Sequence, residues 1–91
     1  MTVLFEYQGN FHKGDFSEKS NTVYDSQTKS RIETHGVLVI PKRLLNLKVN
    51  ETIKILEESY QIAVIGEAGN PTIEVFQTYG LVRLDREERR Y

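Results

Sequence analysis

The sequence predicts a mostly β protein, and three observations carry that prediction. Valine and isoleucine number 15 and alanine only 2, with five tyrosines and four phenylalanines beside them. Such β-branched and aromatic side chains suit a pleated surface and lose rotamer freedom in a helix. Apolar residues come in short alternating or continuous segments punctuated by Gly, Asn, Pro and Ser, which is the grammar of strands and turns. Finally, 91 residues leave space for one core, and a chain of this size buries roughly 60 to 70% of its unfolded surface at best.

Read in order, Thr2 to Gln8 alternates, with Val3, Phe5 and Tyr7 on one face, and makes a first strand. Gly9 to Ser30 then brings Gly, Asn, Ser, Asp and Lys. A loop of that length is uncommon in a small domain, so either Asn21 to Asp25 forms a further strand or the segment is a mobile or functional arm. Val37-Leu38-Val39-Ile40 is a continuous apolar run stopped by Pro41, the pattern of a buried strand. Lys42 to Leu47 carries Leu44, Leu45 and Leu47 behind a proline suited to a first helical position, which predicts one short helix or turn. Thr52 to Leu56 and Tyr60 to Ile65 flank Glu57-Glu58-Ser59 as a hairpin. Gly66 to Pro71 reads as a turn. Thr72 to Phe76 and Leu81 to Leu84, on either side of Thr78-Tyr79-Gly80, read as a last hairpin before the charged tail Asp85 to Tyr91. The whole is one domain over 1–91: an N-terminal strand and loop extension (1–27), a core (28–65), and a C-terminal hairpin with its tail (66–91).

Several chemistries are excluded at this level. Without cysteine there is no disulfide, no thiolate metal site and no cysteine nucleophile, and the expected compartment is cytoplasmic. Met1 to Tyr7 shows neither a basic leader nor a long apolar segment, and no apolar run approaches the ~18 residues of a spanning helix, so no membrane association is expected. His12 and His35 lie far apart with no carboxylate at ligand spacing, whereas a zinc site wants three or four convergent ligands; no metal is expected. Ser17, Ser20, Ser26, Ser30 and Ser59 lack the glycine frame of a nucleophile elbow, and there is no phosphate-cradling glycine loop. The adjacent pairs Glu57-Glu58 and Glu87-Glu88 would point to opposite faces of a strand and read as solvated charge. No catalytic residue and no cofactor is assigned, and an enzyme is the weakest of the function classes.

One stretch is more specific. Gly36-Val37-Leu38-Val39-Ile40-Pro41-Lys42, followed by Leu45-Asn46-Leu47-Lys48-Val49-Asn50-Glu51-Thr52-Ile53, resembles the AbrB/MazE-type swapped-hairpin domain over about residues 28–65. Asn50-Glu51 stands where that family prefers Gly-Asp, and the stretch between Pro41 and Leu45 is about one helical turn shorter than the family pattern. The corner can be understood without the family: a tight turn wants a residue tolerant of positive φ, which Asn supplies, and an acid beside it can accept backbone N–H bonds. The resemblance implies a small β-barrel with one short helix, built as an intertwined swapped-hairpin homodimer. It also implies duplex DNA as partner, bound through Lys29, Arg31, Lys42, Arg43 and Lys48, with the two arginines suited to guanine and the lysines to phosphate.

Charge partition bears on that expectation. The net charge of −1 excludes an indiscriminate polycation. Residues 28–56 nonetheless hold six bases against two acids, a net of +4, between ends of −2 (residues 1–27) and −3 (residues 57–91). Two readings follow. The first is a dimeric DNA-binding transcription regulator or antitoxin-like protein. The second is a small β-barrel interaction module, of the kind that inhibits a host protein, gripping a protein partner through an N-terminal arm with Phe11, Phe16 and Tyr24 or through the C-terminal tail.

Overall fold

A computed structural model describes residues 1–25 and 29–84. Six strands follow one another: β1 (Thr2–Tyr7), β2 (Asn10–Asp25), β3 (Ser30–Pro41), β4 (Thr52–Ile55), β5 (Glu58–Asn70) and β6 (Glu74–Arg83). They close into an antiparallel barrel in the order β1-β2-β3-β6-β5-β4, with β4 returning to β1. One chain supplies every strand of this closed sheet, so exchange of hairpins with a second chain is not needed to complete it. Among the described residues, no helix is long and apolar enough to cross a membrane.

The alternation seen in the sequence becomes the division between inside and outside. Val3 and Phe5 of β1, Leu38 and Ile40 of β3, Ile53 and Ile55 of β4, Tyr60 and Ile62 of β5, and Tyr79 and Leu81 of β6 fill the interior. Gly14 lets β2 pass over this core at close range. A Cβ there would lie 2.8 Å from both Ile40 Cγ2 and Leu38 Cδ1. Phe16 joins the core too, edge-on to Tyr60 with ring centroids 5.6 Å apart. It is therefore a packing residue and not the exposed recognition aromatic expected from its polar neighbours.

The barrel is uneven, and its longest strands overrun it. β2 pairs with β1 only as far as Asp15, then continues with β3 past an irregularity between Glu18 and Asn21 as a two-stranded ribbon. The long polar segment of the sequence is thus in part a strand, the alternative that included Asn21 to Asp25. β5 pairs with β4 over Glu58–Gln61 and thereafter, among the described residues, only with β6. The β2–β3 ribbon leaves the β3–β6 ladder at its Gly36–Leu81 end and the β5–β6 ribbon at its Pro41–Phe76 end. The two arms therefore diverge, and the molecule measures 50 × 33 × 21 Å.

Four expectations are corrected. The short helix over Lys42 to Leu47 does not form: a single turn, closed by Leu44 N–H to Pro41 C=O at 3.0 Å, is followed by extended chain. Leu47 is drawn into the core, which pulls the backbone straight before the unfavourable first turn of a helix can propagate. Gly66 to Asn70 is strand; the turn lies at 71–73, where the Asn70 carbonyl accepts the Ile73 N–H and the Asn70 side chain accepts the Thr72 N–H, both at 2.9 Å. Thr78-Tyr79-Gly80 is the middle of β6, because Tyr79 points inward and is fully buried. The hairpin between β4 and β5 turns at Leu56–Glu57, one residue earlier than its polar run suggested. The tail Asp85 to Tyr91 lies outside the described residues.

Replacing Gly14 by alanine should destabilise the barrel by about 1 to 3 kcal/mol, the usual penalty of forcing a methyl into a filled core. Urea unfolding of the variant checks this; an unchanged midpoint would show that Leu38 and Ile40 retreat without penalty.

Candidate functional site

The ten residues from Lys42 to Glu51 carry the chain from β3 across one end of the barrel to β4, and hydrogen bonds fix them. Leu47 N–H donates to the Tyr79 hydroxyl at 3.1 Å inside the core. At the corner, Glu51 N–H donates to Lys48 C=O at 3.1 Å, and Asn50 has φ 77°, the signature of position i+2 in a type II turn. Glu51 Oε1 accepts the Lys48 N–H at 2.8 Å and its Oε2 accepts the Tyr7 hydroxyl at 2.7 Å. The Tyr7 bond, and after it the Lys48 N–H, hold the Glu51 carboxyl below its ordinary range. The same bond to Glu51 raises the Tyr7 phenol, with burial adding to it.

The five basic residues expected to meet DNA do not share one surface. Lys42 Nζ lies 2.7 Å from Glu67 Oε2, and Arg43 Nε lies 2.6 Å from Glu74 Oε2. Both pairs join the turn after β3 to the β5–β6 ribbon, so two of the five cations are already opposed by carboxylates. Lys48 is exposed on the crossover corner. Lys29 and Arg31 sit at the far end of β3, whose 12 residues separate them from Lys42 by about 35 Å at the rise of a strand.

That far end is the distal β2–β3 ribbon. Every residue from Ser17 to Thr22 is exposed, as are Tyr24, Lys29, Ser30, Arg31 and Glu33. Tyr24 and Arg31 are cross-strand partners, which puts them on the same face. Lys19 had not been singled out; the pairing of β2 with β3 places it on the same ribbon, in the irregularity between Glu18 and Asn21 near the root, while Arg31 lies further out opposite Tyr24. The root of the ribbon is tied to β6 through Arg83: its backbone N–H donates to His35 Nδ1 at 3.0 Å and its Nη2 reaches Glu18 Oε2 at 2.8 Å. His35 is thus a half-buried structural group with its Nδ1 lone pair in use. His12 lies beside Phe5, ring centroids 5.5 Å apart.

At the other end, Lys42, Arg43, Pro71, Ile73, Glu74 and Val75 line an open groove of about 480 Å³, with Ile73 82% exposed on its rim. Among the described residues, no three His, Asp or Glu side chains converge as metal ligands would. Comparison with known families and with characterised proteins finds no match to this chain.

Tyr7→Phe should cost about 1 kcal/mol at neutral pH, the net worth of a partly exposed hydrogen bond to a charged acceptor. A depressed carboxyl stabilises the fold above its ordinary pKa, and that contribution is lost as pH falls through the lower value of the folded state; a raised phenol stabilises below its ordinary pKa and loses its contribution as pH rises through the higher one. The gap between wild type and variant should therefore narrow in acid and again in strong base. Urea unfolding across that range checks it, and a gap independent of pH would assign the loss to packing.

Proposed function

We propose that this chain is a duplex-DNA-binding protein of the regulator or antitoxin type, and that the β2–β3 ribbon is its DNA-contacting element. The observation that carries the reading is the ribbon itself: two strands projecting from the barrel, with Lys19, Tyr24, Lys29 and Arg31 exposed on them. A bare two-stranded ribbon is marginally stable and adds little to a core, so its length is better explained by what it reaches. The major groove, ~12 Å wide, admits a two-stranded ribbon, and ribbon readers of DNA are an established geometry. Between Lys19 and Arg31 the sequence has three bases and one acid, with Glu18 and Glu33 flanking that stretch, so Lys29 and Arg31 gather toward the outer part of a ribbon that is neutral over 17–33. Arg31 has the fork to read guanine, while Lys19 and Lys29 suit phosphates.

A second reading is favoured by Ile73 above its groove: a protein-binding module that inserts nothing into DNA and grips its partner at the β5–β6 turn. An apolar side chain so exposed on a groove rim is the kind of feature that anchors interfaces.

The two readings separate in a salt titration of binding to random duplex DNA. The wild type should bind at low salt with a slope of log affinity against log salt corresponding to roughly three phosphates per arm. Lys29→Ala with Arg31→Ala should lower that slope by about 2, whereas Lys42→Ala with Arg43→Ala should leave it nearly unchanged, because those cations already face Glu67 and Glu74. Absence of binding at low salt would sink the DNA reading, and a dominant effect of Lys42 and Arg43 would move the contact to the groove.

A further inference from the structure

The closing seam of the barrel is its thinnest joint. β1 and β4 share two register pairs, Phe5 with Ile55 and Glu6 with Lys54. On the outer face of this seam sit three large apolar side chains, Leu4 (58% exposed), Phe11 (67%) and Leu56 (64%). They are neighbours. Leu56 directly follows Ile55, the partner of Phe5, so the turn it opens stands at the end of the seam where Leu4 lies, and the pairs Leu4 with Lys13 and Glu6 with Phe11 put Phe11 diagonal to Leu4 on the same face.

The backbone at Leu56 adds an independent observation. Leu56 and Glu57, the two central residues of the β4–β5 turn, have φ 50° and 69°. Both values belong to a type I′ hairpin turn, where Asn-Gly is the favoured pair because positive φ crowds a side chain that has a Cβ. The fold gains nothing from a leucine here, since the side chain points into solvent and the turn would be more relaxed without it. A strained backbone holding an exposed apolar residue is a reason to look for a partner that uses it.

From these observations we infer that the outer face of the β1–β4 seam, centred on Leu4, Phe11 and Leu56, is a self-association surface that seats a second copy of this chain across a two-fold axis. Charge argues for a second copy over other occupants. Glu6, Lys13, Lys54 and Glu57 surround the apolar centre, two acids and two bases, so the rim is neutral and self-complementary. A two-fold axis can place the bases of one copy against the acids of the other. A neutral rim gives nucleic acid or an anionic membrane no electrostatic reason to bind here. The exposed apolar surface is on the order of a few hundred Å², comparable to the largest patch of a typical monomer, which is often functional. It is about half of the ~800 Å² that each partner buries in a standard interface, and the polar rim supplies the remainder. The inference does not depend on the DNA reading, since none of its residues lies on the ribbon.

Sedimentation equilibrium over a range of concentrations, with circular dichroism as a check on folding, tests it. The wild type should show a concentration-dependent dimer. Leu4→Glu and Phe11→Glu, at solvent-exposed positions, should keep the β spectrum and weaken association roughly 100-fold or more, as loss of a central anchor does. Leu56→Asn with Glu57→Gly discriminates further: it should raise the melting temperature of the barrel while weakening the dimer, two effects that a merely structural role for the turn would not separate. A wild type that sediments as a monomer throughout overturns the inference. So does a dimer unaffected by all three variants, which would place association elsewhere, for instance in exchanged hairpins. Either result leaves the salt titration of Lys29 and Arg31 free to succeed or fail by itself.

Discussion

The crossover from β3 to β4 is the constraint on which the rest of this structure depends. A meander of antiparallel hairpins leaves both outer strands with an open edge. This barrel closes because the chain after Pro41 travels over one end of the core and places β4 against β1. The route is held at two points. Leu47 plugs the core, with its N–H bound to the hydroxyl of the fully buried Tyr79, and Glu51 ties the corner to Tyr7 at the end of β1. The first bond gives a buried phenol its partner and satisfies a backbone donor removed from water, two groups that would each cost about 1 to 3 kcal/mol if left alone. The second links the start of β4 directly to the strand it must meet.

What lies beyond the closed part follows from the same geometry. Only the first half of β2 has β1 beside it, and only the first part of β5 has β4, so the remaining lengths become ribbons with a bare edge. Such edges invite unwanted pairing. The β2–β3 ribbon blunts its own with the irregularity between Glu18 and Asn21 and with lysine at position 19. Its root is clamped by Arg83, which engages β2 through Glu18 and β3 through His35. The ribbon is therefore anchored at its base to β6.

Much of this could be read from the residues, and the misses share a cause. Alternation in Thr2 to Tyr7, the run Val37 to Ile40 and the β4–β5 hairpin were legible because each buries alternate side chains, and the Asn50-Glu51 corner was legible because positive φ and an adjacent acid are local requirements. Thr78-Tyr79-Gly80 was misread as a turn since Gly80 resembles punctuation. In the fold its missing Cβ lets β6 pass Thr34 Cγ2, which would stand 3.2 Å away. That reason lies on another strand and is invisible along the chain. Phe16 was misplaced in the same way: its neighbours are polar because they face solvent, while it alone turns inward to Tyr60. The candidate contacts were legible as residue types but not as a surface. A segment charge of +4 counts Lys42 and Arg43 together with Lys29 and Arg31, and only the strand pairing shows that the first two are opposed by Glu67 and Glu74 while the others stand on a ribbon about 35 Å away.

The near-neutral total charge then bears on how such a protein could hold DNA at all. A single ribbon with three bases would release few counterions, and its affinity would fade at physiological salt. Two ribbons on one particle behave differently: once the first is engaged, the second binds at an effective concentration set by the distance between them, and the two salt dependences add. The proposed association face on the barrel and the proposed DNA-contacting ribbon, clamped at its root by Arg83, are in that sense complementary. On the proposed readings, the association face balances Lys13 and Lys54 against Glu6 and Glu57, so like charges need not meet there, while Lys19, Lys29 and Arg31 stand on the element proposed to reach a polyanion.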